Sequence, residues 1–208
     1  MSRAPGRFLV LEGIDGAGTT TQVAQLAAGL RADGHSVWTT REPTDGPVGM
    51  LLRQALTRQL QGLSDAALAL LFAADRMHHL ATVVEPALAE GQVVISDRYV
   101  LSSLAYQGLR LPMAWVEALN SRARRPDLTL FLEVAPAVAR LRRHGRGGPA
   151  ELFDDDALQV RIARAYGRLV RRHQRGHRIQ RIDGEGAPEA VTRALLQRAR
   201  AVLGRVRG

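Results

Sequence analysis

The segment that most constrains the fold is a short apolar run, Phe8 to Leu11, that leads through a glycine-rich turn into a long helical pattern. Gly13, Gly16 and Gly18 have the spacing of a phosphate-binding loop, in which small residues let successive backbone N–H groups converge on an anion at a helix N-terminus. The alternative is a chance glycine-rich turn between a strand and a helix. The residues predicted to contact the phosphates of ATP are Gly13, Ile14, Asp15, Gly16, Ala17, Gly18, Thr19, Thr20 and Thr21.

Strand-like and helical patterns then alternate along the whole chain, which predicts one α/β domain over residues 1–208 with a five-stranded parallel sheet between layers of helices. The predicted strands are Phe8 to Leu11, Ser36 to Thr40, Val93 to Ser96, Leu128 to Leu132 and Arg178 to Ile182. The predicted helices are Thr20 to Asp33, Val48 to Gln59, Ser64 to Glu90, Met113 to Arg122, Pro136 to Arg143, Asp155 to Gln174 and Pro188 to Leu203. Ser64 is a suitable N-cap for the third helix, and Pro86 is expected to kink or restart it.

One position departs from the usual phosphate-loop pattern. Both glycines of G-x-x-x-x-G-K-[ST] are present and Thr20 supplies a hydroxyl for Mg²⁺, but Thr19 stands where the pattern has lysine. All 29 basic residues are arginine, so no lysine elsewhere replaces it. Either an arginine supplies the missing cation, or the chain binds a nucleotide and catalyses poorly.

A second segment, Val93 to Tyr99, is an apolar run that ends in Asp97 at the carboxyl end of a predicted strand. This pattern is typical of a Walker B segment, whose carboxylate holds Mg²⁺ directly or through water. Arg98 follows immediately and is a candidate for contact with a second phosphate, although an exposed ion pair is the alternative. Thr20 and Asp97 are therefore the predicted metal ligands.

Composition limits the class of protein. The 208 residues carry a formal net charge of +9, contain no cysteine and are 4% aromatic. The positive charge permits a nucleic-acid ligand, but the few aromatic side chains offer little stacking surface, so no nucleic-acid partner is predicted. We found no apolar run near the roughly 20 residues that span a bilayer, which predicts no membrane partner. Absence of cysteine favours the cytoplasm.

The motifs together resemble bacterial thymidylate kinases, in the nucleoside monophosphate kinase group. The resemblance is carried by LEGIDGAG with the threonines after it, REP at Arg41 to Pro43, LLFAADRMHHL at Leu70 to Leu80, PAL at Pro86, SDRY with SSLAYQG over Ser96 to Gly108, and PDLTLFLEV at Pro126 to Val134. It implies a P-loop NTPase fold with a short mobile lid. It also implies transfer of the γ-phosphoryl group of ATP to dTMP with Mg²⁺, giving dTDP and ADP, by a homodimer.

The resemblance also assigns roles to residues. Asp15 corresponds to a carboxylate near the acceptor's sugar and phosphate, and Arg98 to the arginine that contacts the dTMP phosphate. Phe72 corresponds to the ring on which thymine stacks and Arg76 to the residue that hydrogen-bonds the base; a core phenylalanine and a surface arginine are the alternatives. The remaining acceptor-pocket residues implied are Arg41, Glu42, Pro43, Ser102, Ser103, Tyr106 and Gln107. Apart from the resemblance, the last four form an ordinary polar turn.

The lid implied by the resemblance covers about residues 142–153. Arg142, Arg143 and Arg146 are the candidates for a catalytic cation brought from this segment, and the sequence does not rank them. Three alternatives stay open: a nucleotide-binding protein with impaired catalysis, a nucleic-acid-binding protein, and a kinase of another nucleoside monophosphate.

Overall fold

The computed structural model describes residues 6–145, 152–174 and 178–204. Its centre is a parallel five-stranded sheet with the strand order β2-β3-β1-β4-β5. The strands are β1 (Arg7–Glu12), β2 (Val37–Arg41), β3 (Val93–Asp97), β4 (Leu128–Glu133) and β5 (Ile179–Asp183). Each begins and ends within one residue of its predicted position, so the five-stranded parallel sheet is confirmed.

Nine α-helices of the described ranges flank the sheet. They are α1 (Thr19–Ala32), α2 (Pro47–Leu56), α3 (Asp65–His79), α4 (Glu85–Ala89), α5 (Val100–Tyr106), α6 (Met113–Leu119), α7 (Pro136–His144), α8 (Asp156–His173) and α9 (Pro188–Leu203). Alternate residues of β1 enter different cores. Leu9 and Leu11 belong to one apolar cluster, whereas Phe8 and Val10 belong to another. Both faces of the sheet are therefore covered, as expected for parallel strands.

The predicted third helix is interrupted as its proline suggested. The Ser64 hydroxyl accepts a hydrogen bond from Ala67 N–H at 3.1 Å and caps α3. A π-helical turn, Leu80–Val84, then precedes α4, in which Pro86 lies in the first turn. The expectation of no apolar run of membrane-spanning length needs correction, because the helical run Asp65–Ala89 passes that test by length and composition alone. Its most apolar window has a mean hydropathy of 1.2, and 44% of that window is buried inside the protein.

The largest correction to the sequence-based prediction is α5. We expected the polar segment Ser102 to Gln107 to form a turn, but it lies in α5 and in a 3₁₀ turn over Gln107–Leu109. The segment lacks a long apolar repeat because α5 has only seven residues. Its buried residues include Leu101 and Leu104, which pack in the main core and carry the polar side chains to the edge of the sheet.

Strand register brings the functional positions together. Leu11 of β1 pairs with Asp97 of β3, and Asp97 pairs with Arg41 of β2. These residues lie at the carboxyl edge of the sheet, where the phosphate loop leaves β1. Ligands of open parallel sheets bind at this edge.

Candidate active site

The phosphate loop requires its glycines. Gly16 and Gly18 have positive φ angles of 88° and 91°. A Cβ atom on Gly16 would lie 2.3 Å from the carbonyl oxygen of Ala139, so α7 packs directly against the loop. A side chain is disfavoured at both glycines by the backbone conformation, and at Gly16 also by lack of space. Helix α1 begins at Thr19, which is buried.

The two predicted metal ligands are in contact. The Thr20 hydroxyl donates to Asp97 Oδ2 at 2.6 Å. The other carboxylate oxygen, Asp97 Oδ1, is buried and has no hydrogen-bond partner among the described residues. A hydroxyl beside a carboxylate with an unpartnered oxygen suits Mg²⁺, which prefers oxygen ligands and takes few of them from protein.

Arg98 lies in a strained turn that is held from three sides. Its φ angle is 72°, which is unusual for a residue with a side chain. Its N–H donates to the Leu11 carbonyl at 2.8 Å, its carbonyl accepts from the Ser96 hydroxyl at 2.8 Å, and the next N–H, of Tyr99, donates to Glu12 Oε1 at 2.9 Å. These bonds compensate for the strained backbone and direct the side chain towards the loop.

The Arg98 guanidinium connects the phosphate loop to α5. It donates to Asp15 Oδ1 at 2.6 Å and to the Gly13 carbonyl at 3.0 Å, and its centre lies 5.6 Å from the ring centroid of Tyr106. Burial opposes its charge, but Tyr106 and Asp15 together hold the pKa of Arg98 well above its usual value. Arg98 therefore remains charged between the loop and the neighbouring cavity.

Glu12, the last residue of β1, was not predicted. It is fully buried and accepts four hydrogen bonds. The donors are the N–H groups of Tyr99 and Ser102, the Ser102 hydroxyl and the Tyr166 hydroxyl. Burial raises the pKa of Glu12 to about 7. This carboxyl group joins β1, α5 and α8 directly below the phosphate loop.

A cavity of about 130 Å³ lies beside Arg98. It brings together all the predicted acceptor-pocket residues except Arg41: Glu42, Pro43, Phe72, Arg76, Arg98, Ser102, Ser103, Tyr106 and Gln107. Asp15 also lines it. Arg41 lies outside this cavity but lines the one above the phosphate loop, and its half-exposed side chain pairs with Asp45 at 2.8 Å. That these residues bind a nucleotide stays a prediction.

Arg76 is not a surface arginine, because its side chain is only 2% exposed. Its Nε donates to Glu42 Oε2 at 2.9 Å, its Nη2 donates to the Ser103 hydroxyl at 3.1 Å, and its Nη1 donates to Asn120 Oδ1. The Glu42 carboxylate also contacts His79 Nδ1 at 3.1 Å. Glu42 therefore lines the cavity and also holds Arg76 and His79 beside it.

Aromatic side chains form the rest of the cavity wall. Phe72 is partly buried and also packs against a small cluster formed by Leu52, Ala55 and Leu68. Tyr106 meets Phe153 edge to face, with ring centroids 5.2 Å apart. Phe153 lies within the predicted lid segment and was missed as a pocket residue. The wall also includes Leu56, Tyr99 and Asp154.

Two of the three candidate lid arginines contact the phosphate loop. Arg143 donates to the Asp15 carbonyl at 2.8 Å and to Asp156 Oδ1 at 2.6 Å. Arg142 donates to the carbonyls of Gly184 at 2.9 Å and Ala17 at 3.4 Å. Arg146 lies outside the described residues. The predicted lid is thus described only for residues 142–145 and 152–153.

A second cavity of about 260 Å³ lies above the phosphate loop. It shares Asp15, Glu42, Pro43 and Arg98 with the first cavity, so the two meet along one wall. Arg53 of α2 also lines it, and its Nε is buried without a hydrogen-bond partner among the described residues. Arg53 was not predicted, because nothing in a helical pattern marks one arginine among 29.

Gln159 of α8 was also missed. Its Nε2 donates to Asp15 Oδ2 at 2.6 Å and to the Phe153 carbonyl at 2.9 Å. With Arg98 on Oδ1, both oxygens of Asp15 are hydrogen-bonded. Residues 144 positions apart meet here, a contact that no local pattern predicts.

Comparison with known proteins supports the same assignment. Residues 11–195 match the family model described as thymidylate kinase. The chain is 45% identical over 171 residues to a protein named probable thymidylate kinase from Pyrococcus horikoshii, which covers 79% of this chain and 83% of the relative. A protein of the same name from Pyrobaculum calidifontis is 41% identical over 203 residues, 95% of this chain and 100% of the relative.

A bacterial relative is also similar. The protein named thymidylate kinase from Thiobacillus denitrificans is 41% identical over 194 residues, 90% of this chain and 93% of the relative. The family-model match, over residues 11–195, extends from the phosphate loop through α8 and into α9. It therefore includes both cavities described above. On this agreement between site and relatives, the chain belongs to the thymidylate kinase family.

Proposed function

We propose that the protein transfers the γ-phosphoryl group of ATP to dTMP, giving dTDP and ADP. The observation that carries this proposal is the wall shared by the two cavities, in which Asp15 and Arg98 belong to both. ATP phosphates on the loop and an acceptor in the smaller cavity would then meet at Arg98. Family membership supports dTMP as the acceptor.

Catalysis in this site needs no side-chain base. The acceptor atom is an oxygen of an already ionised phosphate, so positioning and neutralisation of charge supply most of the rate enhancement. Arginine cannot act as a base, but its planar guanidinium binds two phosphate oxygens at once. We propose that Arg98 holds the acceptor phosphate, which its place in the wall of both cavities supports, and Arg53 lines the cavity above the loop with it.

Mg²⁺ fits the pair formed by Thr20 and Asp97. When bound, it would neutralise charge on the phosphates of ATP. The Thr20 hydroxyl and the free Asp97 oxygen are the groups that would hold it. Their contact also joins α1 to β3, which keeps the phosphate loop in register with the Arg98 turn.

We further propose that arginine replaces the missing loop lysine, as expected of the bacterial type within the nucleoside monophosphate kinase group. Arg143 supports this role best, because its Nη1 lies on the Asp15 carbonyl and its side chain is 7% exposed. Arg142 is bound to carbonyls of the loop before α9, a position better suited to the base or ribose of ATP. Arg146 remains a candidate.

The homodimer, the single domain over residues 1–208 and a cytoplasmic location are parts of the same proposal. The single domain is supported by the length of the family match, and the location by the cysteine-free sequence.

The homodimer is supported by an apolar face on α2 and α3 that could meet a second copy. Its side chains are between 38 and 54% exposed: Met50, Leu51, Leu70 and Met77. Light scattering that finds only monomers would reject the dimer.

Product analysis tests the reaction. The protein, ATP, Mg²⁺ and dTMP are incubated together, and nucleotides are separated by anion-exchange chromatography. We expect dTDP and ADP in equal amounts, and neither product when dTMP is omitted. ADP without dTDP would reject phosphoryl transfer to dTMP.

A further inference from the structure

A buried amide outside the acceptor cavity contacts Arg76. Asn120 directly follows α6 and is 8% exposed. Its Nδ2 donates to the Val116 carbonyl at 2.8 Å, which orients the amide so that Oδ1 faces the guanidinium. That oxygen accepts from Arg76 Nη1. Asn120 is not part of the cavity wall.

The contacts of Arg76 are divided among three elements. Glu42, after β2, contacts Nε at 2.9 Å and Nη2 at 2.8 Å. Ser103 of α5 accepts from Nη2 at 3.1 Å, and Asn120 accepts from Nη1. Nε, Nη2 and Nη1 thus each donate one hydrogen bond to a described partner, and the ion pair with Glu42 also occupies the Nη2 edge. Nη1 keeps a second N–H.

Charge balance alone does not require Asn120. Glu42 already provides a carboxylate for the buried cation, and Ser103 fixes one end of the guanidinium. Asn120 instead restrains the Nη1 edge of the planar guanidinium, and Nη1 is the nitrogen that keeps a second N–H for a ligand. A planar group held by partners on both edges keeps one orientation, which reduces the entropy lost on binding.

We propose that Asn120 is a positioning residue for acceptor recognition, because it holds the Arg76 guanidinium so that the second N–H of Nη1 meets a carbonyl oxygen of the acceptor base. The inference rests on the proposed function. It assigns to α6 a part in base recognition without contact between α6 and the nucleotide.

Binding of each nucleotide is measured separately by calorimetry on the full chain. Asn120→Leu keeps the volume but removes the oxygen, so the planar guanidinium loses the partner on its Nη1 edge and can tilt as a whole about its bonds to Glu42 and Ser103. We expect dTMP to bind about tenfold more weakly, since a hydrogen bond to a charged group is worth about that factor. ATP affinity stays unchanged, because the phosphate loop is not involved.

Two variants separate positioning from a general loss of packing. Asn120→Asp keeps an oxygen opposite Nη1 but loses the N–H that donates to the Val116 carbonyl, so it should lower the melting temperature yet weaken dTMP binding less than Asn120→Leu does. Val116→Ala removes buried volume from the same helix without touching Arg76, and should lower the melting temperature while leaving dTMP affinity unchanged. If Asn120→Leu does not fold, the smaller Asn120→Ser replaces it, because serine is too short to reach Nη1.

A double-mutant cycle tests whether Asn120 acts through Arg76. In an Arg76→Lys background, Asn120→Leu should cause no further loss of dTMP affinity, since lysine has no Nη1 to orient. Equal losses with and without Arg76, equal weakening of ATP, or unchanged dTMP affinity in Asn120→Leu would overturn the proposal. Absence of dTMP turnover by the original chain would instead reject the proposed function.

Discussion

The acceptor cavity and the phosphate loop are built in different ways. In the cavity, a buried cation, Arg76, is held by side chains from three elements, and Arg98 is fixed by its turn and by Asp15. The loop instead presents backbone, with Thr19 in place of a cation. Under the proposed function, the acceptor side is preorganised by its own side chains, whereas the donor side would depend on Mg²⁺ and on arginines from α7. The comparison predicts where substitutions act.

The largest effect is expected at Asp97. Asp97→Asn removes the charge that pairs with Thr20 and faces the phosphates, so turnover should fall about 1000-fold and lose its dependence on Mg²⁺ concentration. The measurement is the initial rate across a Mg²⁺ titration. The control is Asp33→Asn, which removes an exposed carboxylate paired with Arg200 at the far end of α1. An unchanged Mg²⁺ response in Asp97→Asn would show that Asp97 does not hold Mg²⁺.

The next effect concerns the missing lysine. Arg143→Ala should reduce kcat about 100-fold with a modest change in ATP affinity, because a preorganised cation is lost near the transferred group. Adding Thr19→Lys to that variant should restore part of the rate. The matched control is Arg140→Ala, since Arg140 lies one turn earlier on α7 and its side chain is 55% exposed.

Arg142→Ala and Arg146→Ala complete the series. If all three alanine variants have normal turnover, the proposal that an arginine of this segment replaces the loop lysine is wrong. Arg98, which contacts the Gly13 carbonyl, would then be the next residue to test.

On the acceptor side, Phe72→Ala should raise the KM for dTMP about tenfold and leave the KM for ATP unchanged. Stacking of a base on an aromatic ring is worth roughly 1–3 kcal/mol. The control is Leu71→Ala, which perturbs the same apolar cluster but does not line the cavity. Equal changes for both nucleotides would show that the two regions are not independent.

The smallest effect concerns Glu12, which lies between the two regions. Its folded pKa is raised to about 7, so the neutral form is favoured on folding and its contribution to stability is lost as pH rises through that value. Between about pH 5 and about pH 8, the free energy of unfolding should decrease less in Glu12→Gln than in the original chain. Urea titrations at the two pH values measure this, and identical pH dependence would contradict the assignment.

Much of the fold was predictable from sequence because parallel strands buried on both faces form continuous apolar runs. The phosphate loop was equally visible, since its glycines are required by local backbone geometry. Helix α5 was missed because a seven-residue helix carries too little apolar periodicity.

The supporting contacts of the site were not predictable. Glu12 with Tyr166 and Asp15 with Gln159 join residues 154 and 144 positions apart. Arg76 gives another example, because the sequence does not distinguish a buried arginine from a surface one. Only the folded structure brings Glu42 and Asn120 into contact with it. Such partners depend on how α6 and α8 pack on the sheet.

The most direct test of the account is a comparison of acceptors. ADP release is measured with ATP and Mg²⁺ in the presence of dTMP, dUMP, dGMP or no acceptor. If the cavity around Arg76 is preorganised for thymine, as proposed, dTMP should give the highest kcat/KM, and release without acceptor should be slowest. Faster turnover with dGMP would contradict dTMP as the preferred acceptor, and equal rates with and without acceptor would contradict phosphoryl transfer to a nucleotide.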